Sequence, residues 1–330
     1  MGWTNFPGGI TSLGVPVVPS GLFGKASKSF FVDGAAGLDG NSGTTPKRAV
    51  KTVTKALSLC TDKAGDVIYL MNDGNTSGTS RDTATINWSL DNTHLIGVCA
   101  STMLSQRARI SPPTSATAIV TPQLLVSGNG NSFSNVSLFE GTNEAVDSTC
   151  VSITGSRNYF NNVAMMNMAN STTNSAADRA GSETLLITAG EENTFDGCYI
   201  GMDTAARSAA NANVRFASAA TRNIFRDCFF PMQADANSPI FIDANTSGAI
   251  DRFAWFKNCV FHNGVNSTAT EVLLVASVHA SAGGSIILEN CSHLGAAQWE
   301  VTASTNVFGN MPIPDMADDA SGGKYVVYTT

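Results

Sequence analysis

Residues 195–198, 225–228 and 256–259 read Phe195-Asp196-Gly197-Cys198, Phe225-Arg226-Asp227-Cys228 and Phe256-Lys257-Asn258-Cys259. The same phrase stands three more times, as Phe133-Ser134-Asn135-Val136, Phe160-Asn161-Asn162-Val163 and Leu288-Glu289-Asn290-Cys291. Its grammar is a bulky apolar residue, a variable one, a small polar residue or glycine, then Cys or Val. The leading residues are separated by 27, 35, 30, 31 and 32 positions. Recurrence at that period means stacked supersecondary units, each of which buries its apolar face only against its neighbours.

Around the phrase lie other short apolar runs. The first five copies are followed two positions on by Leu138, Met165, Ile200, Phe230 and Phe261. A separate run precedes each copy: Pro122–Val126, Cys150–Ile153, Thr184–Thr188, Val214–Phe216, Ile240–Ile242 and Val272–Val275. These runs are aliphatic and β-branched, three to five residues long, and bounded by Gly, Asn, Ser and Asp, which is the vocabulary of strands. None sustains the i, i+3, i+4, i+7 pattern of a helix. One repeat is therefore two or three short strands joined by turns. Equivalent strands stack in parallel roughly 4.8 Å apart, and the product is an all-β parallel β-helix.

The third position of the phrase supports this separately. Asn135, Asn162, Gly197, Asp227, Asn258 and Asn290 occupy it, and these residue types tolerate a left-handed backbone most readily. The spacing predicts a shared elbow on every coil, with stacked side chains hydrogen-bonding along the axis as a turn ladder.

Composition narrows the class. Hydrophobic residues make up 43% of the 330, enough for a core, while charged residues are only 14%. Net charge is −7, and the longest basic run is Lys47-Arg48, so partnership with nucleic acid is not expected. No apolar stretch has the length of a membrane span and no signal peptide is visible, so the expectation is a chain that folds in a cytoplasm, without a membrane partner. Of seven cysteines, Cys198, Cys228, Cys259 and Cys291 share one interior column and are expected as buried free thiols. There is no CxxC pair, and His94, His262, His279 and His293 are scattered, so no metal or other cofactor is expected.

Four regions follow. Residues 1–29 intersperse Trp3, Phe6, Ile10, Leu13 and Val15 with Gly and Pro, as an extended arm that buries its anchors on a partner would. Residues 30–64 form an entry: a strand over Ser29–Val32, a Gly/Asp-rich loop from Asp33 to Gly43, and a capping helix. That helix is expected to start at Thr45 and Pro46 and to carry Val50, Val53, Leu57 and Cys60 on one face. Residues 65–310 are the coils, with long turns at 169–182 and 201–213. Residues 311–330 are a tail in which Tyr325–Tyr328 offers a last strand.

The second position of the phrase is expected to face solvent, where Asp196/Arg226 and Lys257/Glu289 form a surface ladder. A polysaccharide site on that wall would draw on Asp196, Asp227 and Arg226, with Trp255 and Tyr199 for sugar stacking. No phosphate loop or nucleophile elbow is present, and no catalytic residue is assigned.

The entry segment Phe30-Phe31-Val32-Asp33-Gly34 through Gly37-Leu38-Asp39-Gly40-Asn41-Ser42-Gly43-Thr44-Thr45-Pro46, running on to Gly65-Asp66-Val67-Ile68-Tyr69, resembles the start of pectin-lyase-like right-handed β-helix proteins of tailed-bacteriophage virions. The resemblance covers the architecture from about residue 30 to 300. It implies a homotrimer attached to a virion and carries over no catalytic residue. The expectation is a non-enzymatic capsid decoration or cement protein, made in the host cytoplasm and docked through its arm on the major capsid protein or another virion protein, the capsid exterior being favoured over the tail. The alternative is a tailspike or fibre that binds or degrades host surface glycan.

Overall fold

The computed structural model describes residues 11–12, 15–16, 27–72, 74–100, 102, 107–113, 120–140, 147–167, 179–264, 272–300 and 306–309. Three parallel sheets run the length of the coils. The first has ten strands, from Ser29–Asp33 through Ser132–Ser134, Tyr159–Asn161, Thr194–Asp196, Asn223–Arg226 and Phe253–Lys257 to Val307–Gly309. The second runs from Ser80–Arg81 to Ser292–Leu294, and the third from Ile86–Trp88 to Ala276–Val278. Each coil visits the third, first and second sheets in turn, so the chain is a parallel β-helix.

The recurrent phrase is the corner between the first and second sheets. Its third residue is left-handed in every copy, with φ of 57° at Asn135, 51° at Asn162, 59° at Gly197, 53° at Asp227, 53° at Asn258 and 51° at Asn290. A single such residue turns the chain from one sheet to the next while keeping both strands in register. Side-chain bonds run along part of the column: Asn162 Nδ2 donates to Asn135 Oδ1 at 3.2 Å, and Asn258 Nδ2 to Asp227 Oδ1 at 3.0 Å. Gly197, having no side chain, interrupts it.

Inside the corner the first residue of the phrase forms an aromatic stack. Phe133, Phe160, Phe195, Phe225 and Phe256 are wholly buried, with successive centroids 4.7, 4.9, 4.5 and 4.4 Å apart and rings within 10° of parallel. Each such contact contributes about 0.5–1.5 kcal/mol beyond the area it buries. The fourth residue also faces inward. Cys198, Cys228, Cys259 and Cys291 are free, and their thiols donate to the carbonyls of Phe160, Phe195, Phe225 and Phe256 one coil back.

A second ladder lies two residues ahead of the first four of these phenylalanines. Asn131, Asn158, Asn193 and Asn223 are buried, and their side-chain oxygens accept the backbone amides of Thr93, Asn131, Asn158 and Asn193 at 2.7–3.1 Å. The amides of Asn158, Asn193 and Asn223 in turn donate to Gly128, Gly155 and Gly190 carbonyls. This continuous network satisfies the buried backbone at the corner between the third and first sheets.

The entry differs from the expected single helix. Pro46–Arg48 is one turn of 3-10 helix, and Thr45 makes no side-chain cap. The chain then extends so that Val50 bridges Val32, its amide donating to Phe31 O and its carbonyl accepting from Asp33 N. The α-helix covers only Val53–Leu59, capped by Thr52, whose hydroxyl accepts the Lys55 amide at 3.2 Å. Backbone pairing with the entry strand claims Val50 and splits the helix. Asp39 fixes the break by accepting from the amides of Lys51 and Thr52 at 2.8 and 3.0 Å. Val53, Ala56 and Leu57 pack the shortened helix into the first coils.

Other readings need adjustment. Val272–Leu274 pairs with Ala296–Gln298, and it is Ala276–Val278 that joins the third sheet. Residues 201–213 do not simply project: Met202–Arg207 pairs with Phe229–Ala234 beside the second sheet. The arm holds a minimal antiparallel pair, Thr11–Ser12 with Val15–Pro16. Trp3, Phe6, Ile10 and Leu13, most of the 169–182 turn and the tail 311–330 with Tyr325–Tyr328 lie outside the described residues.

Two outcomes test this account. A side chain at Gly197 would meet nothing within 4 Å, so Gly197→Asn, which tolerates the left-handed backbone and bridges the gap in the ladder, is expected to hold or raise the thermal midpoint. Gly197→Val should cost about 1–2 kcal/mol through φ alone. The second concerns acid. Burial lowers the pKa of His94 and of His293 to about 4 from 6.5, and bare Nδ1 of His94 accepts the Ser132 amide at 3.1 Å. The unfolded chain takes up these protons first, so this stability is present above about pH 6.5 and is lost as pH falls toward 4. Denaturant titrations across that window should show the loss, and His94→Asn should flatten it.

Candidate functional site

The strand alternation of the first sheet sends two columns outward on either side of the buried phenylalanines. One runs Tyr159, Thr194, Ile224, Trp255, Ile287 and Phe308; the other runs Asn161, Asp196, Arg226, Lys257 and Glu289. An apolar strip thus lies beside a charged one. Between them Tyr159, Thr194, Ile224, Arg226, Trp255 and Lys257 line a shallow concavity of about 410 Å³.

The charges are mutually engaged. Arg226 donates to Asp196 Oδ2 at 2.7 Å, and the Tyr159 hydroxyl donates to the same oxygen at 3.0 Å. Lys257 Nζ pairs with Glu289 at 2.9 Å and stands 5.3 Å from the Trp255 ring centroid. Burial, then the hydrogen bond to Asp196, raises the Tyr159 pKa, so the phenol remains a donor through neutral pH. The cations are each more than a third exposed, so these pairs add little to stability.

The structure brings Asp196, Arg226 and Trp255 to this wall but separates the other residues expected with them. Asp227 sits at the elbow, its carboxylate accepting from Asn258. Tyr199 is buried on the second sheet, beside Phe229 with centroids 5.8 Å apart, and is withdrawn as a stacking residue. The reason is register: Tyr199 follows the corner and belongs to the next sheet. Tyr159, one residue ahead of a phrase, takes the place assigned to Tyr199. The strand alternation around Phe160 was the signal that would have found it.

A second cluster lies on the third sheet. Arg215 donates through Nε to Asp243 and through Nη1 to Glu183, both at 2.9 Å, and also to the carbonyls of Ala180 and Gly181. Burial raises the Glu183 pKa even though Thr149 and Arg215 oppose it. With so many bonds back to the chain, the cluster reads as an anchor for the 180–183 turn. Among the described residues no group of three or more His, Cys, Asp or Glu side chains is placed to hold a metal, and no helix is long and apolar enough to cross a membrane.

Comparison with solved structures places this architecture. Pectate lyase Pel9A superposes with a TM-score of 0.55 at 13% identity, over 86% of this chain and 72% of that one. The fold is that of the pectin-lyase-like parallel β-helices. Weaker similarities extend to pectin methylesterase PemA from Erwinia chrysanthemi (TM-score 0.45, 13% identity, 87% of this chain and 80% of that one) and to Geobacillus virus E2 ORF18 (0.42, 13%, 79% and 56%). No family's sequence profile and no curated protein sequence matches the chain.

Because the ion pair is half in solvent, Arg226→Ala is expected to cost less than about 1 kcal/mol in urea unfolding. A loss several times larger would make the pair part of the framework.

Proposed function

We propose that this pectin-lyase-like β-helix is a non-enzymatic structural protein of a tailed-bacteriophage virion, a homotrimeric capsid decoration or cement protein held by its N-terminal arm. The observation that carries the reading is the entry segment. The residues that give it its resemblance to virion β-helices are the ones that build the first coil. Asp33 accepts the amides of Ala35 and Ala36, Asn41 donates to Ala49 O, and Asp39 holds Lys51 and Thr52. Gly37 packs so closely on the Val50 carbonyl that a side chain would stand 2.3 Å from it. The motif is thus a structural lock on the first coil, and the sequence ahead of it is rich in apolar residues, Trp3, Phe6, Ile10, Leu13 and Val15 among them.

The wall fits the same reading. Asp196 and Glu289 are each held by a cation, and Asp196 by a phenol as well. A hydrolase needs one carboxyl group as proton donor and another free to attack or to activate water.

One observation favours a second reading, glycan binding by a spike. The concavity offers the aromatic side chains of Tyr159 and Trp255 beside Arg226, Lys257 and the Thr194 hydroxyl, a combination that can stack a sugar and bond its hydroxyls.

Deleting residues 1–26 is expected to abolish attachment to particles while leaving a folded trimer by light scattering. Unchanged occupancy would overturn the capsid reading. The same trimer incubated with capsular or lipopolysaccharide glycans is expected to release no oligosaccharide. Retention on glycan that is lost in Trp255→Ala would establish the spike reading instead.

A further inference from the structure

Three arginines crowd the outer face of the second sheet near the start of the coils. Arg81 closes the strand Ser80–Arg81, Arg109 opens the next, Arg109–Ser111, and Arg81 stands opposite Ser111 in register. Ile110 points inward and is wholly buried, so Arg109 and Ser111 point outward and Arg81 shares their face. Arg107 lies two residues ahead of Arg109. Burial, then the charges of Arg107 and Arg81, lowers the Arg109 pKa, which places all three guanidiniums in one field.

Five other arginines are neutralised within the chain. Arg157, Arg215, Arg222, Arg226 and Arg252 each pair with a carboxylate. Among the described residues no carboxylate pairs with Arg81, Arg107 or Arg109, although the chain carries a net charge of −7. Like charges gathered on a partly desolvated face repel unless an anion joins them.

Two atoms point to where that anion sits. The Arg109 guanidinium carbon lies 5.3 Å from the centroid of the Phe139 ring, a contact that restrains it, yet its Nε is buried without an acceptor. Ser137, opposite Arg109 in register, is wholly buried, and its hydroxyl has no hydrogen-bond partner. Arg81 commits Nη1 to the Pro112 carbonyl at 2.7 Å, which steadies the side chain and leaves its other donors.

We infer that Arg81, Arg107, Arg109 and Ser137 form a binding site for a phosphate or sulfate group. Guanidinium forks pair with such oxyanions through two parallel hydrogen bonds, and a tetrahedral group has oxygens enough for three forks and a hydroxyl. A carboxylate, with two oxygens, does not. The site is independent of the virion reading and of the wall.

The test is calorimetric titration and thermal unfolding of the full chain in sodium phosphate, sulfate and succinate, against sodium chloride at matched ionic strength. Phosphate and sulfate are expected to give a saturable heat and a saturable rise in midpoint, and succinate neither. Arg81→Gln with Arg107→Gln, at positions that are only partly buried, should weaken phosphate roughly a hundredfold, about tenfold for each charge-assisted contact; Arg222→Gln, remote from the site, should leave it unchanged. Absence of saturable heat with phosphate or sulfate, a response that follows ionic strength alone, an equal response to succinate, or phosphate binding that survives in the double variant would each overturn the assignment.

Discussion

Everything in this molecule depends on where the backbone can turn left. One residue at φ near +55° opens the two-residue corner between the strand that ends one position past the buried phenylalanine and the strand that begins beyond the cysteine or valine. Because the corner consumes only two residues in these coils, it leaves no slack, and each coil must enter the second sheet at the same height relative to its predecessor. That constraint brings the phenylalanines to ring separations under 5 Å and sets each thiol against a carbonyl one coil back. A longer corner would let neighbouring coils slip, and a slip of one residue exchanges the inner and outer faces of a strand.

The same register decides what the surface offers. The outward columns of the first sheet put acids and bases on neighbouring rungs, so the charges meet along the axis and satisfy each other. On the second sheet the register sets Arg81 opposite Ser111 and Arg109 opposite Ser137 instead, so two guanidiniums share one face with no acid opposite either. Two faces of one solenoid, built from the same strand geometry, thus present opposite electrostatic situations. The difference lies wholly in which residues the stacking makes neighbours.

Much of the fold was legible in the chain, and the failures have physical causes. The elbow column was readable because it demands unusual backbone and therefore unusual residues. The asparagine column ahead of the phenylalanines recurs in four successive coils, yet asparagine in a polar turn invites a solvent reading, and only burial reveals it as internal scaffolding. The entry helix is shorter than its local pattern implies, because Pro46, Val50, Val53 and Leu57 fit one helical face while Val50 is taken by pairing with Val32. Tyr199 stands only two positions past the elbow at Gly197, yet those positions carry it around the corner into a different sheet.

Periodicity and residue type were enough to establish a stack of short parallel strands, its elbow and its interior cysteines, because those features repeat under one local steric rule. Which side chains become neighbours across coils was decided only in three dimensions. Contacts between residues some thirty positions apart depend on the summed lengths of every intervening turn, and each coil here has a different length. The paired wall, the concavity beside Trp255 and the arginine cluster at Arg109 all arise from that summation, and no local stretch of sequence contains it.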